Sequence, residues 1–336
     1  MTVLGPVDTA DLSHVQLHEH LLCDLRGYLP PGGHTTEPVE PANYFEARVD
    51  RDNAADMVLD DRDVAISALQ DYFRAGGGTL VDATPLGLGR DPGGLYAIAT
   101  QSPVHVVMGS GYYVQAFHPP EVALAGESEL ANEIVHDLTV GVGPQGIKAG
   151  IIGEIGMSWP PHPDEVKVLR AAARAQAETG AALLIHPGRA RHAPLSHLRE
   201  VEKAGGDIER TVMSHIDRTL FDLDDMLELA ASGCVLEFDL FGTESSYYPP
   251  NPDVDLPNDG GRVRYICELA NAGYGDRVVI AEDICRKTQL KPYGGEGYDH
   301  ILRRVVPLMS RRGLSNTQID QITRKTPAGL LERPAC

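Results

Sequence analysis

Eight short, β-rich apolar runs punctuate the chain, and each is followed by a stretch long and amphipathic enough for a helix. They lie at 15–22 (VQLHEHLL), 79–84 (TLVDAT), 104–110 (VHVVMGS), 149–155 (AGIIGEI), 181–186 (AALLIH), 211–216 (TVMSHI), 234–241 (CVLEFDLF) and 277–283 (RVVIAED). DDRDVAISALQDYFRAGG, 60–77, opens on acids and ends in glycine, as a capped helix should. HPDEVKVLRAAARAQAETG, 162–180, does the same with Pro163 in its first turn. Such alternation implies parallel strands joined by crossover helices. Eight units over about 270 residues match a (β/α)8 TIM barrel. An open doubly wound sheet competes, but no GxGxxG turn follows the first run. The expectation is one α/β domain over residues 1–336. Segment 23–59, rich in Pro, Gly and Asp, forms a long loop after the first strand, suited to a lid or an interface.

Composition narrows the function classes. Of 336 residues, 42% are hydrophobic and 23% charged, which describes a globule with an ample core. The net charge of −19 argues against sequence-independent binding to nucleic acid or to an anionic membrane, both of which need a basic face. No apolar run approaches the roughly 20 residues of a membrane span, and MTVLGPVDTADL lacks a secretory signal's basic and apolar segments. The five cysteines are scattered and never spaced CxxC. A cytoplasmic protein with reduced thiols is expected, and a cysteine zinc site is not.

In a parallel barrel the C-terminal strand ends carry the active site. His18 and His20 end the first run, Glu154 the fourth, His186 the fifth, His215 the sixth and Asp283 the eighth. Alternate residues of a strand share a face, so the two imidazoles of His18-Glu19-His20 point together while Glu19 points away. A single core histidine satisfied by hydrogen bonds is commonplace; six donors converging on one rim are not. Four imidazoles and two carboxylates suit zinc or another first-row divalent ion. Zinc is the expected ion, although manganese, cobalt and iron accept the same donors. Six ligands exceed the needs of one tetrahedral ion and suit a pair of divalent ions about 3.5–4 Å apart. Glu154, midway between the histidine groups, is the natural bridge. Asp82, Glu237 and Asp239 lie near strand ends as candidate partners for the histidines.

The motifs LHEHLL, GIIGEIGMSWP, LLIHPGR, VMSHIDRTL, LEFDLFGTE and GGEGYDHIL resemble the phosphotriesterase family of the amidohydrolase superfamily, in particular its phosphotriesterase-related branch. The likeness runs from about residue 4 to residue 330. It implies a binuclear centre in which His18, His20 and Asp283 hold the buried ion, His186 and His215 the exposed one, and Glu154 joins them. It also implies a homodimer. Many members bridge their metals with a carboxylated lysine. Lys148 precedes Glu154 by six residues, about 20 Å lower along a strand, so no lysine modification is expected here.

Water shared by two divalent ions deprotonates near neutral pH and gives a hydroxide that attacks a carbonyl centre. Asp283 can take the nucleophile's proton and pass it to the leaving group. Arg189, Arg218 and Arg286 follow the ligand positions, and on so acidic a chain they suggest a pocket for a small anionic substrate. Structural pairing with nearby carboxylates is the competing reading. Tyr112 with Tyr113, and Tyr247 with Tyr248, are candidate walls, with a simply packed loop as the competing reading. The expected activity is hydrolysis of an N-acyl amino acid or N-acyl aminosulfonate. A lactonase or carboxylic esterase is the alternative, with phosphotriester hydrolysis as a weak side reaction. A binding protein on an inactive barrel is a further reading, which loss of any of the six ligands would favour; all six are present.

Overall fold

A computed structural model of the chain describes residues 1–29 and 31–333; Cys336 lies outside the described residues. The expected runs form eight parallel strands: β1 (His14–Glu19), β2 (Gly77–Asp82), β3 (His105–Ser110), β4 (Ile151–Gly156), β5 (Leu183–His186), β6 (Thr211–Met213), β7 (Val235–Phe238) and β8 (Val278–Ile280). They pair in chain order. Beyond β8, Asp283 N donates to His18 O at 3.2 Å and His20 N to Ile284 O at 3.2 Å, so the last strand's exit meets the first. The result is a nearly closed (β/α)8 barrel, as the alternation predicts.

Hydrophobic alternation builds two layers. Val15, Val81, Val107, Leu184 and Val235 fill the interior, closed at the bottom by Leu330 and Leu331 of the last helix. Their strand neighbours Leu80, Val106, Leu183 and Leu236 pack outward under the helices. The helix expected at 60–77 runs Arg62–Arg74, where Asp61 caps the free amides of Asp63 and Val64. The one expected at 162–180 runs Pro163–Thr179 and stops at Gly180, whose φ is 66°. The 23–59 segment holds a helix of its own, Tyr44–Asp50, and a two-strand ribbon, Cys23–Asp24 against Val58–Leu59.

Several strands end earlier than their apolar runs. The reason lies in the residues that follow, where His215 (φ 54°) and Asp283 (φ 48°) adopt left-handed backbone and leave the extended path. Two bulges break the period-2 register inside the barrel. Gln16 pairs with Leu80 but Glu19 with Asp82, and Ile152 pairs with Leu183 but Ile155 with Ile185. In each case three residues advance against two, which re-aims the side chains between them. Leu17 and His18 can thereby both face inward, as can Ile151 and Glu154. Lys148 precedes β4 at the opposite end of the barrel from Glu154.

Gly153 makes the second bulge possible. Its φ is +122°, and a Cβ there would lie 2.4 Å from Leu184 O. Gly153→Ala should lower stability by about 2–4 kcal/mol, read as a drop in thermal midpoint. Gly205→Ala, also at positive φ but with nothing within 4 Å of the new Cβ, should lose only about 1 kcal/mol. Equal losses would mean that the close contact with β5 contributes nothing.

Candidate metal centre

The strand ends bring the six donors into one buried cluster. Glu154 stands in the middle: Oε1 is 3.4 Å from His20 Nε2, while Oε2 is 2.9 Å from His186 Nδ1, 3.6 Å from His215 Nε2 and 3.5 Å from His18 Nε2. Asp283 Oδ1 lies 3.4 Å from His20 Nε2 and 3.8 Å from His18 Nε2. Among the described residues four groups of potential donor atoms each fit within 4.8 Å: His18, His20 and Glu154; Glu154, His186 and His215; His18, His215 and Asp283; and, behind the cluster, His18, Glu237 and Asp239. Glu154, His18 and His215 each belong to more than one of them.

Each imidazole is turned by a partner on its far side. Thr84 Oγ1 donates to Leu22 O, so it accepts from His20 Nδ1 at 2.8 Å and leaves Nε2 with its lone pair facing inward. Asp239 accepts both the backbone N–H of His215 at 2.9 Å and its Nδ1 at 2.8 Å. His18 Nδ1 faces Asp239 at 3.2 Å and Glu237 at 3.3 Å. His186 is reversed: Nδ1 faces the cluster, and Nε2 lies 2.9 Å from Arg218 Nη2. Asp82 holds no histidine; it accepts the amides of Leu21 and Thr84 and fixes the turn after β1. Glu19 points away from the cluster, as the alternation predicts, and accepts the amides of Glu282 and Ile284, tying the Asp283 turn to β1.

The donor set fits divalent cations. His18 Nε2 is buried and has no hydrogen-bond partner, although it faces two carboxylates. Leaving such an atom unsatisfied costs about 1–3 kcal/mol. Without ions, protons supply the missing positive charge. Burial pulls His20 down, but hydrogen bonds to Asp283 and Glu154 outweigh it and push it up to about 10. Burial likewise opposes the Asp239 charge at His215, which ends at about 9. Burial would raise Glu154, yet the charge of His18 and the imidazole hydrogen bonds hold it well below the usual carboxylate range. Cation binding therefore displaces protons from these imidazoles.

A cavity of about 440 Å³ opens above the cluster. Arg189, Arg218 and Arg286 all line it, but their charges are used differently. Arg286 is paired with Asp56 at 3.1 Å and donates to the carbonyls of Ala47 and Arg48, so for this residue the structural reading holds. Neither Arg189 nor Arg218 has a carboxylate within 4.0 Å among the described residues. Arg189 Nε donates to Tyr248 Oη at 3.1 Å.

Of each tyrosine pair only the second ring lines the cavity. Tyr112 donates to Glu133 at 2.6 Å, away from the cavity, and Tyr113 faces His186 Nδ1 at 3.2 Å. Tyr247 is exposed, whereas Tyr248 is a buried wall of the cavity. Loops carry no fixed period, so a YY pair gives no sign of which ring turns inward. Arg51 and Tyr28, both from the 23–59 segment, also line the cavity. Sequence reasoning missed both; only the isolated cation in Asp50-Arg51-Asp52 hints at the first.

Residues 1–331 match the sequence profile of the Phosphotriesterase family. The chain belongs to that family. It is 42% identical to the N-acetyltaurine hydrolase of Bos taurus, covering 97% of this chain and 95% of the relative. It is 41% identical to the phosphotriesterase-related protein of Nematostella vectensis, covering 97% and 96%. The crystal structure of a resiniferatoxin-binding protein from Rhodobacter sphaeroides superposes with a TM-score of 0.94 at 34% identity, covering 99% of this chain and 94% of that one. Phosphotriesterase-family proteins are binuclear metal enzymes, and this chain is a hydrolase with candidate residues for such a centre. No helix among the described residues is long and apolar enough to cross a membrane.

Asp239→Asn removes the charge that turns His215 while keeping the side chain's size. Metal affinity, measured by competition with a chelator, should fall about 10- to 100-fold. Unchanged affinity would show that His215 needs no orienting partner.

Proposed function

We propose that the enzyme hydrolyses a small N-acyl amide whose amine portion carries an anion, N-acetyltaurine being the compound for which its relatives are named. The observation that carries this reading is the wall of the cavity. Arg189 and Arg218 face the space above the cluster without a carboxylate partner among the described residues, in a chain of net charge −19. Cations kept unpaired beside a reaction centre favour a substrate that brings the missing negative charge.

Two zinc ions would suit the donors: His18, His20 and Asp283 would hold one, His186 and His215 the other, and Glu154 would serve both. The chemistry they supply when bound is a nucleophile at neutral pH and polarisation of the acyl oxygen. The protein's own groups do the rest. Asp283 is the one cluster member with a partly open side chain, at 17% exposure. It is placed to take the proton of the attacking water and return it to the departing amine nitrogen, which leaves poorly unless protonated. Arg218 Nη2 donates to Pro187 O at 3.2 Å and lies 2.9 Å from His186 Nε2, so its guanidinium is held at the cavity floor with donors to spare. Tyr113 and Tyr248 wall the acyl and amine portions from water.

A homodimer in the cytoplasm completes the reading. The four cysteines among the described residues are free, which suits a reducing compartment. Light scattering of the purified protein should give twice the mass of one chain.

A substrate panel tests the activity. The metal-loaded enzyme should turn over N-acetyltaurine and N-acyl amino acids with higher kcat/KM than lactones, simple esters or an aryl dialkyl phosphate. Rapid lactone opening with no amide turnover would overturn the proposal in favour of a lactonase. Asp283→Asn, compared at equal metal content, should lower kcat for the amide about 10²- to 10⁴-fold. The loss should be smaller for an ester whose leaving group needs no proton.

A further inference from the structure

The 23–59 segment contributes a charge to the cavity that the metal centre does not use. Arg51 ends the helix Tyr44–Asp50 in left-handed backbone, with φ 57° and ψ 32°. A non-glycine residue adopts this conformation at some cost, and here it directs the side chain into the cavity. Its guanidinium carbon sits 5.1 Å from the centroid of the Tyr248 ring, and that of Arg189 lies 5.7 Å from the same ring. Two cations from separate elements thus share one aromatic wall.

No ion pair among the described residues holds Arg51, and the carboxylate whose charge it feels most is Asp283 of the cluster below. Among the described residues no carboxylate lies within 4.0 Å of it, although Asp50 and Asp52 flank it in sequence. Asp56 is occupied by Arg286 and by the amide and hydroxyl of Thr288. Burial, together with the nearby charge of Arg286, pulls Arg51 down to about 10. A cation held next to another cation, in a cavity, without an ion-pair partner among the described residues, is a costly arrangement that an incoming anion relieves.

We propose that Arg51, with Arg189, grips the anionic end of the substrate, so that the 23–59 segment sets specificity for an N-acyl amide bearing a sulfonate or carboxylate. This rests on the amidase reading and names the residue that reads the amine portion. Donors approaching from two elements can serve several oxygens of one anionic group, while the acyl end lies over Glu154 and Asp283.

The test compares Arg51→Met and Arg51→Lys with the parent enzyme, all metal-loaded. Substrates are N-acetyltaurine and its uncharged methyl sulfone counterpart; ethanesulfonate and propionate are titrated separately by calorimetry. For Arg51→Met, KM for N-acetyltaurine should rise about 10- to 100-fold with kcat changed far less. The sulfone should lose little, and Arg51→Lys should recover part of the loss. Ethanesulfonate binding should weaken in parallel. Stronger binding of ethanesulfonate than propionate by the parent assigns a sulfonate, and the reverse assigns a carboxylate. Equal losses for charged and uncharged amides, or no loss for either, would overturn the assignment. If the parent hydrolyses no amide, the amidase reading fails, and the binding of the two anions still decides the role of Arg51.

Discussion

A carboxylate buried among imidazoles is the interaction on which the rest of this protein depends. Glu154 is 2% exposed at the end of an apolar strand, where an isolated negative charge would be costly. Four histidines meet it within 3.6 Å. Positive charge must be present at this point, whether as protons on the imidazoles or as divalent cations in their place. The carboxylates on the far side of His18 and His215 extend the same arrangement one layer outward, since Asp239 accepts from both rings. Charge alternates from centre to periphery, and each shell makes the burial of the next affordable.

The backbone departs from regularity where this cluster demands it. Bulges in β1 and β4 precede His18 and Glu154 and turn inward a residue that strict alternation would send to the helices. His215 and Asp283 leave their strands through left-handed backbone. In a perfectly regular barrel with Leu17 and Ile151 facing inward, His18 and Glu154 would face the helices. The apolar interior below, closed by Leu330 and Leu331, supplies the rigidity against which these irregular ends are held.

Above the cluster, the surroundings separate two kinds of arginine that look alike in sequence. Arg286 is a structural cation, locked to Asp56 and to the carbonyls at the end of a short helix. Arg189, Arg218 and Arg51 line the cavity without an ion-pair partner among the described residues. The distinction lies in what each guanidinium meets across the fold, and the partners are more than 200 residues away in the case of Arg286. The 23–59 segment supplies both Arg51 and the acid that neutralises Arg286, so it shapes the charge of the cavity as well as covering it.

The sequence alone determined the barrel and the meeting of its donors. Eight apolar runs with intervening amphipathic stretches admit few other folds, and strand direction sends every run's C-terminal end to the same mouth. The six donors were therefore legible by position, as was the pairing of His18 with His20 against Glu19. What the tertiary structure decided is local and non-periodic. It chose Tyr113 over Tyr112 and Tyr248 over Tyr247, assigned Thr84 rather than Asp82 to His20, paired Arg286 and left Arg51 unpaired. Strand and helix periods are written by neighbouring residues, whereas loop side chains take their direction from distant contacts that no local pattern encodes.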